Sequence, residues 1–502
     1  MNTNIKPASV AMTSLRQRLR DPSLFIEKGC LAGSWVDADD GSTIAVYDPA
    51  TGLEIGTVPS MGAVEADRAV KSADAAFRAW ASETALVRAR VMEKWFDLVV
   101  ENAEDLATII TIEQGKPITE SRTEISYGSG FIKWFSEEAR RTYGQVIPAN
   151  ERDRRIIAVK QPVGVSAAIT PWNFPVAMIT RKCAPAIAAG CPVIVKPSEF
   201  TPYSALALAL LAQRAGVPDG IISVLTGPPE GIGRVLTGNP AVRKVSFTGS
   251  TRVGKLLMRQ SSDTVKRVSF ELGGNAPFLI LDDADIDLAV AGVIASKFRN
   301  AGQTCVCANR ILVQDGIYDR FADTLAEAVS AMKVGNGLDD GVAIGPLINA
   351  AAVQKVNRHI EDALSEGAGT LLGGVSAGRD QFCGPTILVG ATPSMLVARE
   401  ETFGPVAPLF RFKEIDEAIA FANDTPFGLA AYAFSESMHR ALYVGERLEF
   451  GMIGLNSGSV SSEVAPFGGM KESGIGREGA SQGMDEYLEL KTMHIGGMSR
   501  PV

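Results

Sequence analysis

Apolar residues recur at helical spacing among charged ones across residues 64–112, where Ala, Leu and Val line one stripe and Asp, Glu, Arg and Lys the other. Downstream the rhythm changes. VGVSAAIT runs into the turn PWNFP, PVIVKP leads into SALALALLAQRAG, GIISVLTG precedes a helical stretch at GIGRVLTG, and VRKVSFTGS precedes RVGKLLMRQ. Strand-like runs alternating with helical ones predict an α/β unit on a parallel sheet. A second alternating stretch starts after Glu271 and reaches about Leu448. It holds the apolar strand PFLILDD, the helix LAVAGVIASKF continuing through Arg299 into a break at Gly302, and a long helix through Leu325 and Val329. The boundary between the two units falls near Leu272-Gly273-Gly274. ERDRRIIAVKQP predicts a charged hairpin outside the first sheet, and DEYLELKTMHIG alternates as a strand. Detached strands of this kind often pair across subunits, which predicts a homo-oligomer.

A chain of 502 residues exceeds one ordinary core, so at least two large domains are expected. The formal net charge of -8 argues against nucleic acid as a partner, and the short basic stretch at Arg16, Arg18 and Arg20 reads as a solvated helix. The richest apolar run, AIAAGCPVIV, is broken by Gly190 and Pro192 and closed by Lys196, too short to span a bilayer. The N-terminus has no apolar signal core. The 6 cysteines are sparse, which fits reduced thiols in a cytoplasmic protein. With only 3 histidines a multi-histidine metal site has little to work with, and no metal is expected.

Two segments carry reactive groups. Cys305 lies in FRNAGQTCVCANR and Glu271 in SFELGGNAP. A thiolate adds to a carbonyl carbon, and a carboxylate activates water to release the resulting acyl group. KVSFTGSTRVGK reads as strand, glycine turn and helix. Gly249 would let the backbone approach a phosphate, Ser250 and Thr251 would cap the helix, and Gly254 would allow close packing. The spacing departs from the usual dinucleotide fingerprint, and a plain strand–turn–helix accounts for it equally well. In VKPSEFTP, Glu199 at a strand's C-terminal end could accept from both ribose hydroxyls of NAD and would repel the 2′-phosphate of NADP. Lys196 or Ser198 could tolerate that phosphate, and a solvated loop remains the plain alternative.

PWNFP, KPSE, FTGS, ELGG, GQTC, EETFGP and PFGGMKESGIGRE occur in the order of the aldehyde dehydrogenase superfamily, which the chain resembles from about Phe25 to Ile495. Within that superfamily it is most similar to succinate-semialdehyde dehydrogenases, through PWNFPVAMITRKCAPAIAAGCP, DTVKRVSFELGGNAPF, ASKFRNAGQTCVCANR, ANDTPFGLAAY and GREGASQGMDEYLELK. The resemblance implies a variant doubly wound NAD(P)-binding domain at residues 25–141 and 163–271 and a catalytic domain at 272–478. A small oligomerisation unit at 142–162 and 479–502 would assemble a homotetramer or homodimer. It implies that Cys305 is the nucleophile, Glu271 the general base, and Asn173 the side chain that holds the oxyanion with the Cys305 N–H. Lys182 and Glu478 match a proton-relay pair. Glu401 and Phe403 match contacts to the nicotinamide ribose and ring, Lys196 and Glu199 contacts to the adenosine ribose, and Trp172, Ser250 and Leu272 join the cofactor set. The implied cofactor is NAD or NADP, with Glu199 favouring NAD slightly. The implied chemistry runs through a thiohemiacetal, loss of hydride to the nicotinamide, and hydrolysis of a thioester.

Arg299 lies six residues before Cys305 and Arg181 eight after Asn173. On their own they could pair with structural carboxylates such as Glu137 or Glu138. The resemblance implies that they bind a distal anion, with Ser461 and Ser462 adding a hydroxyl. Two arginines do not measure chain length, so glutarate semialdehyde and sulfolactaldehyde stand beside succinate semialdehyde as substrates. Cys307 is either a small packing residue or, as in relatives with the same CVC, a redox switch that closes a strained disulfide with Cys305. Three rivals remain: an acylating or ester-hydrolysing relative, a non-catalytic binding or structural member of the fold, and a metal-dependent alcohol dehydrogenase. Glu271 disfavours the first, intact Cys305 and Asn173 the second, and scarce histidines the third.

Overall fold

The computed structural model describes residues 14–376 and 381–498. Residues 499–502, assigned above with the C-terminal strand, and 377–380 of the second unit lie outside the described residues. The helical period over 64–112 resolves into the helices Ala63–Ser82, Ala85–Glu101 and Ala103–Gln114. The first break is set by Thr84, whose hydroxyl accepts from the Val87 N–H at 3.3 Å and caps the second helix. A further helix, Ile118–Glu138, was not legible in the pattern. Its buried face mixes Ser121, Glu124, Gly128 and Ser129 with Ile125, Phe131 and Phe135, so polar positions dilute the apolar period.

An eight-stranded sheet organises the first unit. The predicted strands Val165–Ile169, Val193–Lys196, Ile222–Val224, Val242–Thr248 and Arg267–Glu271 run parallel through its centre. From Val165–Ile169 the chain steps outward in one direction to Val193–Lys196 and Ile222–Val224, then returns to place Val242–Thr248 and Arg267–Glu271 on the other side. Strand order therefore reverses between Val165–Ile169 and Val242–Thr248, a crevice where ligands bind in open α/β sheets. Gly474–Ile475 crosses back from the second unit and pairs antiparallel with Phe270 and Glu271.

A seven-stranded sheet carries the second core, with Ala276–Ile280 between Ala308–Gln314 and Ala430–Phe434. Phe278 stacks on Tyr432 at 5.3 Å and on Phe434 at 4.8 Å between ring centroids. The predicted helix before Cys305 is shorter than its apolar run suggested. It is α-helical over Ile286–Val293, widens to a π-turn over Ile294–Phe298, and leaves Arg299 extended at φ -55° and ψ 135° rather than on a helix. Residues that follow at positive φ rule out helix there.

The charged hairpin forms from Gln145–Ile147 and Arg155–Pro162, and the C-terminal strand is Leu488–Ile495. These detached strands pair with each other inside one chain, from Leu488 opposite Pro162 to Ile495 opposite Arg155. Lys160 holds Asp485 at 2.5 Å beside the pairing, and the Arg267 guanidinium donates to the Leu488 carbonyl, so the strand is tethered to its own chain.

Phe278→Ala should cost about 3–5 kcal/mol, because it empties a fully buried aromatic stack at the centre of the second sheet. Urea unfolding of the two proteins checks this, with a midpoint shift at unchanged slope as the expected form.

Candidate active site

The turn that delivers Cys305 is unusual backbone. Asn300, Ala301 and Gly302 take φ of 51°, 53° and 75° in succession. The glycine is required, since a Cβ at residue 302 would lie 2.2 Å from the Gly404 carbonyl oxygen. Gly274, in the second glycine position of ELGG, has the same function: a Cβ there would stand 2.3 Å from the Cys305 carbonyl oxygen. The buried residues around the turn lock it. Glu120 accepts from the Asn300 N–H at 2.7 Å, and the Asn300 side chain donates to the Asn173 carbonyl at 3.0 Å.

Two cavities of about 270 Å³ each meet at Cys305, and no other described residue lines both. The first lies at the reversal of strand order, between the loops after Val165–Ile169 and Val242–Thr248. Its walls include Trp172, Gly249, Ser250, Leu272, Glu401 and Phe403, six of the expected cofactor contacts. Ser250 caps the helix Thr251–Ser262, accepting from the Val253 N–H at 3.4 Å, so the start of a twelve-residue helix borders this space. Gly254 does permit close packing: a Cβ there would meet the Leu272 methyl at 2.4 Å. At Gly249 the tight neighbour is the Phe247 ring, again 2.4 Å from a built Cβ. Glu401 accepts from the Gly274 N–H at 3.0 Å, and burial pushes its carboxyl up to about 7. Trp172 and Phe403 meet edge-to-face at 5.7 Å. These groups fit a dinucleotide: a helix start for phosphate, an acceptor for ribose hydroxyls and aromatic walls. Lys196, Ser198 and Glu199 stand apart from this lining. Lys196 donates to the Pro197 carbonyl at 2.6 Å and pairs with Glu199 at 3.2 Å, while the Ser198 hydroxyl accepts from the Phe200 N–H.

The second cavity brings Arg181, Arg299 and Ser461 to the thiol. Ser462 does not line it, and Ser459 does. Ser462 instead accepts from the Val464 N–H at 3.4 Å, because the loop turns there. Neither arginine pairs with Glu137 or Glu138, which engage Lys133 and Arg141. Arg181 pairs with Glu478 at 2.6 Å, and the other Glu478 oxygen accepts from Lys182, which also donates to the Thr248 hydroxyl at 2.7 Å. These two cations hold the Glu478 carboxyl below the usual carboxylate range despite its burial.

Glu271 lines neither cavity. It is buried within electrostatic reach of this network, with one carboxylate oxygen lacking a partner. Burial, and then the Glu478 charge, hold its carboxyl well above the usual range. Burial pushes the Cys305 thiol up to about 12, against the pull of Arg181 and Arg299. The side chain of Asn173 donates to the Gln303 carbonyl at 3.0 Å, which leaves one amide N–H for another acceptor. Cys307 is buried outside both linings, and its sulfur accepts from Lys297 at 3.4 Å.

Several functional neighbours were missed from sequence. Lys116, fully buried, pairs with Glu124 at 2.6 Å and donates to the Asn173 carbonyl at 2.6 Å. Glu124 accepts from the N–H groups of Val176 and Ala177, fixing the start of the helix Ala177–Ala189 that carries Arg181 and Lys182. Lys355 donates to the Glu401 carbonyl at 2.5 Å. Glu120 and Tyr127 line the second cavity. The signal that could have found them is the Lys-Pro at 116–117 opening a long helix.

The model of the aldehyde dehydrogenase family matches residues 35–493. The chain belongs to the aldehyde dehydrogenase family. It is 56% identical over 478 residues to a glutarate-semialdehyde dehydrogenase of Pseudomonas putida, covering 95% of this chain and 99% of that protein. It is 55% identical over 480 residues to the NADP(+) succinate-semialdehyde dehydrogenase GabD of Escherichia coli, covering 95% and 100%. A crystal structure of an aldehyde dehydrogenase from Brucella melitensis biovar abortus 2308 superposes with a TM-score of 0.95 at 55% identity, covering 96% and 99%. This aldehyde dehydrogenase thus has the expected α/β fold and uses a nicotinamide dinucleotide with an aldehyde substrate. Among the described residues no helix is long and apolar enough to cross a membrane.

Gly302→Ala should lower stability by at least about 1 kcal/mol, since alanine disfavours positive φ and its methyl meets a carbonyl. The same variant should slow alkylation of Cys305, read by thermal unfolding together with peptide mass mapping after iodoacetamide.

Proposed function

We propose that this aldehyde dehydrogenase oxidises a short anionic semialdehyde, most favourably succinate semialdehyde, to the acid. The carrying observation is that Cys305, alone among the described residues, joins a cavity fit for a dinucleotide to one walled by arginine. The printed activities of the semialdehyde-oxidising relatives support the substrate class.

In this reading the Cys305 sulfur adds to the aldehyde carbon. The free N–H of Asn173 and the Cys305 backbone N–H receive the charge on oxygen, each such donor being worth about 3 kcal/mol of barrier. A bound nicotinamide supplies the two-electron acceptor. Trp172, Gly249, Ser250, Leu272, Glu401 and Phe403 would hold it, with Gly254 keeping the helix close. Lys196, Ser198 and Glu199 would reach its adenosine ribose. Glu199 stands part-exposed at the end of Val193–Lys196, which supports a slight preference for NAD, although the Escherichia coli relative is named for NADP(+). Glu271, a stronger base for its raised pKa, takes a proton from water as the thioester opens. Lys182 and Glu478 pass that proton on; their direct contact and the electrostatic influence of Glu478 on Glu271 support the relay. Arg299 and Arg181, with Ser461, face the distal anion. Ser462 would act only through the loop. Cys307 as a switch has weaker support, since its thiol faces Lys297.

The two sheets support a division at 25–141 with 163–271, 272–478, and 142–162 with 479–502. Exposed Val146, Leu490 and Met493 on the third sheet support a dimer or tetramer assembled there. Sparse cysteines support a cytoplasmic location.

The deciding experiment measures specificity constants for succinate semialdehyde, glutarate semialdehyde, sulfolactaldehyde and propanal with NAD and with NADP. Anionic substrates should exceed propanal by at least tenfold, and parity would refute the reading. Cys305→Ala should abolish turnover and leave dinucleotide binding, followed by fluorescence quenching, nearly unchanged.

Both reactive groups are held in their protonated forms by burial, so their anions appear only as pH rises. The specificity constant should therefore climb between pH 6 and 9, approaching about tenfold per unit at the acid end. A profile that peaks at or below pH 6 would contradict this.

A further inference from the structure

We propose that Tyr127 is a specificity-determining residue, donating its phenolic hydrogen to the distal anion of the substrate beside Arg299. The inference rests on the reading of the second cavity as the seat of a short anionic aldehyde.

The helix Ile118–Glu138 turns Glu120, Thr123, Glu124 and Tyr127 onto one face, at spacings of three and four, and all four line this cavity. The Tyr127 ring is fixed edge-on against Phe131 at 4.9 Å. Its hydroxyl is buried beside the Arg181 guanidinium, which can only donate to the oxygen, so the phenolic hydrogen has no acceptor. A buried donor left unmatched is destabilising, and native structures keep few of them. Here the missing acceptor is supplied by substrate.

The charges around the hydroxyl identify that acceptor. Arg181 acts on the Tyr127 oxygen by charge and as a hydrogen-bond donor, and Arg299 by charge, so the hydroxyl stands at the cationic end of the cavity. The two arginines are not equivalent. Arg181 is ion-paired with Glu478 at 2.6 Å and lies over the Phe467 ring at 4.0 Å, so its charge is already balanced. Arg299 lies over the Phe174 ring at 5.4 Å, and its Nε is buried without a hydrogen-bond partner. The two carboxylates on the same wall are engaged elsewhere: Glu120 accepts from the Asn300 N–H, and Glu124 pairs with Lys116. The anion subsite is therefore built from one arginine and one phenol rather than two free guanidinium forks. Burial raises the phenol above its ordinary range, which keeps the donor proton in place at working pH. A carboxylate or a sulfonate has lone pairs for both donors, whereas an uncharged aldehyde of equal length offers neither an acceptor.

Tyr127→Phe keeps the ring against Phe131 and removes only the donor. With saturating cofactor, KM for succinate semialdehyde should rise by about tenfold or more, with kcat changed less than about twofold. Butanal kinetics should not move, and inhibition by succinate should weaken by the same factor as KM. An unchanged KM for succinate semialdehyde overturns the proposal. So does an equal loss on butanal, which would mark Tyr127 as packing alone. If the parent enzyme fails to oxidise any anionic semialdehyde, the substrate reading falls and this inference with it; normal parent turnover beside an indifferent variant strikes Tyr127 only.

Discussion

Three consecutive residues in the left-handed region, Asn300 to Gly302, cannot persist unless the surrounding structure over-determines them. Ala301 is disfavoured there by about 1–2 kcal/mol, and asparagine at 300 by less. The compensation comes from every side of the molecule. Glu120 on a first-unit helix accepts from the Asn300 N–H, and the Asn300 and Asn173 side chains converge on the Gln303 carbonyl. Gln303 in turn accepts from the Ile348 N–H at 3.0 Å. The turn therefore forms only when both sheets are in place, and it presents the Cys305 thiol at the junction of two cavities. The reactive group depends on the whole fold through hydrogen bonds that no local segment could satisfy.

The electrostatics follow the same logic. Burying Arg181, Lys182 and Glu478 together is costly in desolvation, and such a cluster is a poor source of stability. Its effect is on neighbouring groups. A carboxylate kept ionised between two cations raises the proton affinity of Glu271 beyond what burial alone would do. Lys116 and Glu124 form a second buried pair that holds the turn at Asn173 by its carbonyl and the next helix by its first N–H groups. The three-residue cluster raises Glu271, and the Lys116–Glu124 pair fixes the backbone at Asn173.

Much of the fold was legible because its strands are short apolar runs punctuated by glycine and proline, and buried parallel strands demand that composition. The helix Ile118–Glu138 was not, since its inner face carries serine, glycine and glutamate for close packing and for the site. The extended Arg299 was misjudged for a related reason. SKFRN has helical composition, and outside the helix the Asn300 N–H is satisfied by Glu120, a partner 180 positions away.

By itself the sequence determined the alternation of strands and helices, the candidate thiol and carboxylate, and the glycines at 274 and 302, because these are set by residue type and local spacing. The tertiary structure decided which groups face one another. It assigned Arg181 to Glu478, turned Ser462 away in favour of Ser459, and left Glu271 buried outside the lining of both cavities. Such pairings join residues far apart in the chain, 296 positions for Lys182 and Glu478, and the partner of a buried charge is chosen by proximity after folding, which no local pattern encodes.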